Sequence, residues 1–511
     1  MTGSATDEVP HEREAKVSVW PGFRVPDLQA AVPWMVAVEP EEQVLDARFL
    51  DASDLRLLRM GITFRHRTGE GSADGRWTLK VPVPSEGVAL ERLEIEVDGP
   101  PGSPPDHLAS AVRGALRGAD LAEVAHLQTN RTVVAIRDQA DRPLGALTDD
   151  VVSAFDGEEV GWRFREIEVE AAAGAPANVI DAVVDVLRAA GAGEPDNVPK
   201  LARALGPRAL APGDPDVPRA DKDATTRAAF QDAIAGSVRR LLLHDPVIRL
   251  DAGEEGVHQA RVATRRLRSD LRTFRTLLDE EALAPLIEEL RWLGGLLGSV
   301  RDADVLGQRL GEAVDGLDEE SDRVAGRLLL DRVEAGRKPH LAALHEALDS
   351  RRYLDLTQAL VDLAVTPPLL DGADRPAREA YPELASRPWE HLHKRVGGLG
   401  KQPTDAELHR VRILAKRARY AAEAASAVIP AAGRHAEAIA GLQGVLGDHQ
   451  DAVVAQQWLR DSIASDATAP EAFVAGLLVR DEQDLARKHR RRWPDAWAEA
   501  DRKKLTAWLT P

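Results

Sequence analysis

The sequence predicts two domains of different class. Residues 1–206 read as an α+β domain dominated by consecutive strands. Residues 223–511 read as an all-α helical-bundle domain with an internal duplication, its related halves at about 223–375 and 376–511. Three observations carry this. Charged and apolar residues alternate with period two through the first part and recur at helical spacing through the second. The segment 207–222 between them (PRALAPGDPDVPRADK) holds four prolines in 16 residues and reads as a linker. A basic motif of the second part occurs twice, followed each time by a second shared motif.

Strands are expected at 10–20, 42–50, 62–68, 76–83, 92–97, 129–138, 144–155 and 162–171, with Gly, Pro and Asp clusters between them. Pro100-Pro101-Gly102-Ser103-Pro104-Pro105 precedes a helix at 107–117, and a second amphipathic helix falls at 175–190. Strands in such succession form a sandwich or a closed barrel. From Asp223 onward Ala, Leu, Arg and Glu dominate. Helix breaks are expected near 245–256, Pro285, 366–376 and 397–404.

Composition narrows the chemistry. Cysteine is absent, which excludes disulfides, thiol nucleophiles and thiolate metal sites and suits a reducing cytoplasm. No apolar run approaches the roughly 18–20 residues that span a bilayer. The first twenty residues hold Glu8, Glu12 and Glu14 and no apolar stretch, so no signal peptide is expected. The net charge of −18 argues against a nucleic-acid partner, as does the lack of aromatics interleaved with the basic stripes. Of 66 basic residues 11 are lysine, and through residue 199 the lysines are Lys16 and Lys80 alone. A position that keeps lysine against this bias can require a compact ammonium.

In a strand, residues two apart share a face. Glu12, Glu14 and Lys16 form one such stripe. Others are Arg65 with Arg67, Thr78 with Lys80, Arg92 with Glu94 and Glu96, Arg131 with Arg137, and Glu166 with Glu168 and Glu170. Like charges stacked this way are unfavourable unless opposite charges face them. An interior with both carboxylates and cations suits a metal–polyphosphate complex. These motifs, with Phe49-Leu50-Asp51 and Leu55-Arg56, resemble the CYTH family of triphosphate tunnel metalloenzymes over about residues 1–206. The resemblance implies an eight-stranded antiparallel tunnel that uses Mg²⁺ or Mn²⁺. It implies Glu12, Glu14, Glu166 and Glu168 as metal ligands. Lys16, Lys80, Arg65 and Arg67 become catalytic groups, and Arg56, Arg92, Glu94 and Arg131 substrate-binding ones. Relatives often end the last ladder in lysine where this chain has Glu170. Either Asp149 or Asp150 matches a strand carboxylate of the family.

In the second part His258, Arg261, Arg265, Arg268 and Arg272 fall within an arc of about 80° on a helix. His409, Arg412, Lys416 and Arg419 repeat the first four positions. The shared pattern is His-x-x-Arg-h-x-x-(Arg/Lys)-Arg-x-Arg, and Leu297-Gly298 with Arg301-Asp302-Ala303 recurs as Leu446-Gly447 with Gln450-Asp451-Ala452. A solvated helix face mixes charge signs. Residues 261–275 instead hold six arginines and one acid. These helices resemble the CHAD domain, two four-helix bundles associated with inorganic polyphosphate. The resemblance implies His258, Arg261, Arg265, Arg268, His409, Arg412, Lys416 and Arg419 as polyphosphate-binding residues, with Asp302 and Asp451 orienting arginines.

The function expected is metal-dependent hydrolysis of a triphosphate, inorganic triphosphate foremost, with polyphosphate bound by the helical domain. The alternatives are an adenylate cyclase or thiamine triphosphatase in the same tunnel, or a non-catalytic polyphosphate scaffold.

Overall fold

The computed structural model describes residues 13–83, 91–176, 178–196 and 198–510. The chain divides into two compact units, Met1–Gly213 and Asp214–Pro511, and the division falls inside the proline-rich segment. That segment is not a free tether. Arg239 donates to the Pro215 carbonyl at 2.7 Å, and Val217 is buried.

In the first unit the elements run β1 (Arg13–Ser18), α1 (Leu28–Ala31), β2 (Met35–Ala37), β3 (Glu41–Asp51), α2 (Arg56–Arg59), β4 (Thr63–Thr68), β5 (Arg76–Val83), β6 (Glu91–Asp98), α3 (Asp106–Ala111), α4 (Arg113–Leu116), β7 (Ala122–Asp138), β8 (Pro143–Asp156), β9 (Glu159–Ala171), α5 (Val179–Ala189), β10 (Pro195–Asp196) and α6 (Lys200–Leu205). Among the described residues ten strands form one antiparallel sheet, in the order β10-β1-β9-β8-β7-β3-β4-β5-β6, with β2 on β7. All eight expected strands are present, and β2 and β10 are short additions. The path ends at β10 and β6 rather than closing by pairing among the described residues.

Alternation decides the two faces of the sheet. On one face Val17, Leu147, Ile167 and Val169 pack under Val179, Val183 and Leu187 of α5. Each fully buried aliphatic side chain there stabilises by roughly 1.5–3 kcal/mol. The residues between them carry the charges onto the other face. There Ala47, Phe49, Leu127, Val152 and Ala154 close one end around Leu201 of α6. The short helix α6, which the sequence reading left unassigned, therefore lies on the charged side.

The second unit comprises α7 (Thr226–Arg249), α8 (Glu254–Thr273), α9 (Glu280–Asp315), α10 (Glu320–Asp349), α11 (Arg351–Val365), α12 (Ala377–Gly397), α13 (Asp405–Ala425), α14 (Pro430–Asp466) and α15 (Ala469–Ala500). Side-chain oxygens of Thr225, Asp279, Ser350, Thr404 and Thr468 cap five of these helices. Helices α7–α10 correspond to α12–α15, and α11 is extra. Equivalent helices meet across the duplication, α7 with α12, α8 with α13 and α10 with α15. The expected break at 245–256 falls at residues 250–253, between α7 and α8, whereas the one at Pro285 is absent. Pro246 lies inside α7 and Pro285 inside α9. Burial of flanking residues such as Leu283 and Leu290 outweighs the local cost of proline. Among the described residues no helix is long and apolar enough to cross a membrane.

Candidate functional site

The charged face of the sheet is built row by row. Register sets Arg131 of β7 beside Asp150 of β8, Asp150 beside Glu166 of β9, and Glu166 beside Ser18 of β1. The next row sets Thr148 beside Glu168 and Glu168 beside Lys16. Arg131 donates to both oxygens of the buried Asp150, at 2.9 and 2.8 Å. Lys16 bridges Glu168 at 3.1 Å and Glu14 at 3.2 Å. Across β4, β5 and β6, Lys80 pairs with Glu94 at 2.9 Å and Arg67 pairs with Glu70. Arg65 is half-buried beside Arg67. Burial foremost, and then Arg67, lowers its pKa to about 10, and Arg131 adds to that effect. Arg65 and Arg131 therefore sense one another across β3.

The largest addition to the expected set is Lys200 of α6. Its ammonium lies 3.0 Å from Asp150, 2.9 Å from Glu166 and 2.7 Å from Glu168. Arg203, one turn on, pairs with Glu166 at 3.0 Å and donates to Ser18 Oγ at 2.8 Å. Burial alone would raise the Glu168 carboxyl. Lys200, Lys16 and Arg131 instead hold it down at about 2. For Glu166 burial wins, and its pKa is raised despite Lys200 and Arg203.

The expected residues are partly reassigned. Asp150 points onto the charged face, whereas Asp149 pairs with Arg165 at 2.6 Å. Arg56 is turned to Asp54 and to the Leu116 carbonyl. Glu170 stands exposed at the end of its ladder. Glu12 and the side chain of Arg92 lie outside the described residues.

Asp150, Glu166 and Glu168 offer the all-oxygen donor set that Mg²⁺ or Mn²⁺ takes. The cation among them is the Lys200 ammonium, and Glu14 is engaged with Lys16. Among the described residues no three His, Asp or Glu side chains are arranged to hold a metal ion as they stand. Of the expected ligands Glu12, Glu14, Glu166 and Glu168, the last three are paired with Lys16 or Lys200 here. Their chemistry fits a divalent cation, in competition with Lys200.

In the helical unit the two basic stripes come together. Lys416 of α13 sits among Arg412, Arg265 and Arg261. Burial first, and then these guanidiniums, push its pKa down to about 7. Arg265 lies over the Tyr420 ring at 5.5 Å, and Arg266 reaches Glu423 at 3.0 Å. Arg419 bonds Glu423 at 2.6 Å. Arg261 pairs with Asp302 at 2.9 Å, and Arg412 with Asp451 at 3.7 Å. Gly298 and Gly447 lie beside these two guanidiniums. Burial and nearby Arg291 and Arg417 lower the pKa of Arg268. His258 is lowered by burial and then by Arg301, and His409 Nδ1 is buried without a hydrogen-bond partner.

Among solved structures, a CHAD domain from the plant Ricinus communis is 27% identical, covering 55% of this chain and 96% of its own, at a TM-score of 0.43. A Bacillus halodurans protein described as an adenylate cyclase is 18% identical, covering 39% of this chain and 100% of its own, at a TM-score of 0.27. Residues 232–460 match the CHAD domain family. The uncharacterized Mycobacterium tuberculosis proteins Rv2226 and MT2285 are each 31% identical over 522 residues, with 96% of both chains covered. The chain belongs to their family and carries a CHAD domain.

The CHAD match takes in all eight basic-stripe residues, from His258 to Arg419. Its α8–α13 seam gathers cations that burial disfavours, a state that a bound polyanion relieves. The sequence reading missed Lys200 and Arg203. One signal was present. Lys200 is the third lysine in a segment that otherwise keeps lysine only at Lys16 and Lys80. It falls outside every strand motif, so alternation does not reach it.

Proposed function

We propose that the sheet domain hydrolyses triphosphates with a divalent metal, inorganic triphosphate first, and that the CHAD domain binds polyphosphate. One observation carries the reading: Arg65, Lys80, Arg131, Lys16 and Lys200 share one face with Asp150, Glu166 and Glu168. The arginines hold phosphate oxygens in forked pairs, and the lysines place point charges on the remaining ones. Phe49 and Phe164 on this face pack around Leu201, so neither is offered to a nucleobase. That favours a substrate made of phosphate alone. A divalent cation held by the carboxylates would neutralise the leaving group and polarise the attacking water. Arg65, Arg67 and Lys80 hold the chain of phosphates in line for displacement.

The experiment measures phosphate release from inorganic triphosphate, ATP, thiamine triphosphate and long-chain polyphosphate, with Mg²⁺ or Mn²⁺. Inorganic triphosphate should turn over fastest, and Lys80→Ala should abolish it. Cyclic AMP from ATP as the main product would overturn the assignment. Turnover unaffected by Lys80→Ala would do the same.

A further inference from the structure

The duplication of the helical unit produces two matching cavities of unequal charge. One, of about 350 Å³, lies between the start of α8, the middle of α9 and α10. The other, of about 220 Å³, lies between the start of α13, α14 and α15. His258 corresponds to His409, so Glu254 in the first cavity corresponds to Asp405 in the second. Asp302 corresponds to Asp451, so Asp304 corresponds to Val453. On the third wall the pair Glu334 and Arg337 recurs as Arg487 and Arg490. The position shared by Arg337 and Arg490 keeps its charge, and Glu334 is exchanged for Arg487.

These exchanges make the first cavity acidic. Among the described residues its walls carry Asp251, Glu254, Asp304 and Glu334 against the single guanidinium of Arg337. Arg301 reaches Glu254 at 3.1 Å from outside the lining. Two negative charges remain in surplus. Asp304 is the unusual member. Its side chain has no solvent exposure, one oxygen takes Arg337 at 2.6 Å, and the other has no hydrogen-bond partner. A buried carboxylate oxygen without a donor is costly, and one beside an acidic cavity marks a place for a cation. The equivalent valine in the second cavity shows that the helix packing does not require the acid.

The shape argues for the kind of cation. No three carboxylates are arranged to hold a metal ion among the described residues. The acids are instead spread over a volume within the range of small-molecule sites. Leu330 and Val333 line the same space and offer an apolar surface for methylene groups. We infer that this cavity binds a small organic dication, an alkyl diamine whose ammonium groups reach Asp304 and Glu334.

The test is calorimetric titration of the full-length protein with 1,4-diaminobutane, 1-butylamine and MgCl₂ as separate probes. Diaminobutane should bind with one-to-one stoichiometry and at least tenfold more tightly than butylamine. Glu334→Arg copies the second cavity at an exposed position, so the fold should be kept. It should weaken the diamine at least tenfold, and Asp304→Asn should weaken it as well. Against a net charge of −18, one such replacement would barely change diffuse attraction of amines to the acidic surface. Equal diamine affinity in wild type and Glu334→Arg would overturn the site. So would the absence of diamine binding at millimolar concentration, or displacement of the diamine by stoichiometric Mg²⁺.

Discussion

Replacing Lys200 with alanine removes one ammonium from contact with three carboxylates. Its side chain is 18% exposed, and Asp150 and Glu166 are fully buried. Removing one member of a buried ion pair costs about 3–5 kcal/mol, because the partner is left charged and dry. Arg131, Arg203 and Lys16 still face the trio, which places the expected loss at the lower end, about 3 kcal/mol. For a domain of this size that lowers the melting temperature by roughly 10 °C. Thermal unfolding of the full-length chain, followed by circular dichroism near neutral pH, measures it. The same variant frees Asp150, Glu166 and Glu168 to take a different cation. Mn²⁺ should therefore raise its melting temperature by more than it raises that of wild type. An unchanged melting temperature would show that the three contacts carry no stability. An equal Mn²⁺ shift in both proteins would show that lysine and metal do not share the site.

Glu168 supplies a pH test. Its folded pKa of about 2 lies below the unfolded value of 4.5, so its stabilisation is full above pH 4.5 and is lost as pH falls toward 2. The shift corresponds to about 3 kcal/mol. Glu166, raised by burial, works in the opposite sense and trims the total. Urea titrations at pH 6 and pH 3 should show that loss shrink in Glu168→Gln, and an identical loss would reject it. In the CHAD domain Lys416 has its free pKa lowered to about 7, and a bound polyanion favours its charged form. Polyphosphate affinity should thus fall as pH rises from 6 to 8.5, with proton uptake on binding, and Lys416→Arg should flatten the profile. Replacing Arg261, Arg265 and Arg268 with Gln should weaken polyphosphate binding and reduce its salt slope, by analogy with other polyanions. Replacing Arg412, Lys416 and Arg419 should match that effect, whereas unchanged affinity in both would dismiss the shared groove. Lys80→Arg should lower triphosphate turnover roughly a hundredfold through misplacement of about 1 Å, and wild-type kinetics would count against a need for ammonium at that position.

Much of the site could be read from local spacing. Period-two alternation placed Glu14 with Lys16, Arg65 with Arg67, and Glu166 with Glu168 on shared faces, because successive strand side chains must point opposite ways. The repeated His-x-x-Arg pattern announced the duplication, since one helical face presents the same residues twice. Local spacing does not say what lies across from a strand. Only the β7–β8–β9 register turned Asp150 inward and Asp149 to Arg165. Only the packing of Leu201 against Phe49 and Val152 brought Lys200 into the carboxylates. The α8–α13 contact alone set Lys416 against Arg261 and Arg265 and so moved its pKa. Helix α9 ran through Pro285 although the local signal was a break. Element type and face follow from neighbours along the chain. Which charges meet, and how dry they become, follows from contacts between residues far apart in sequence.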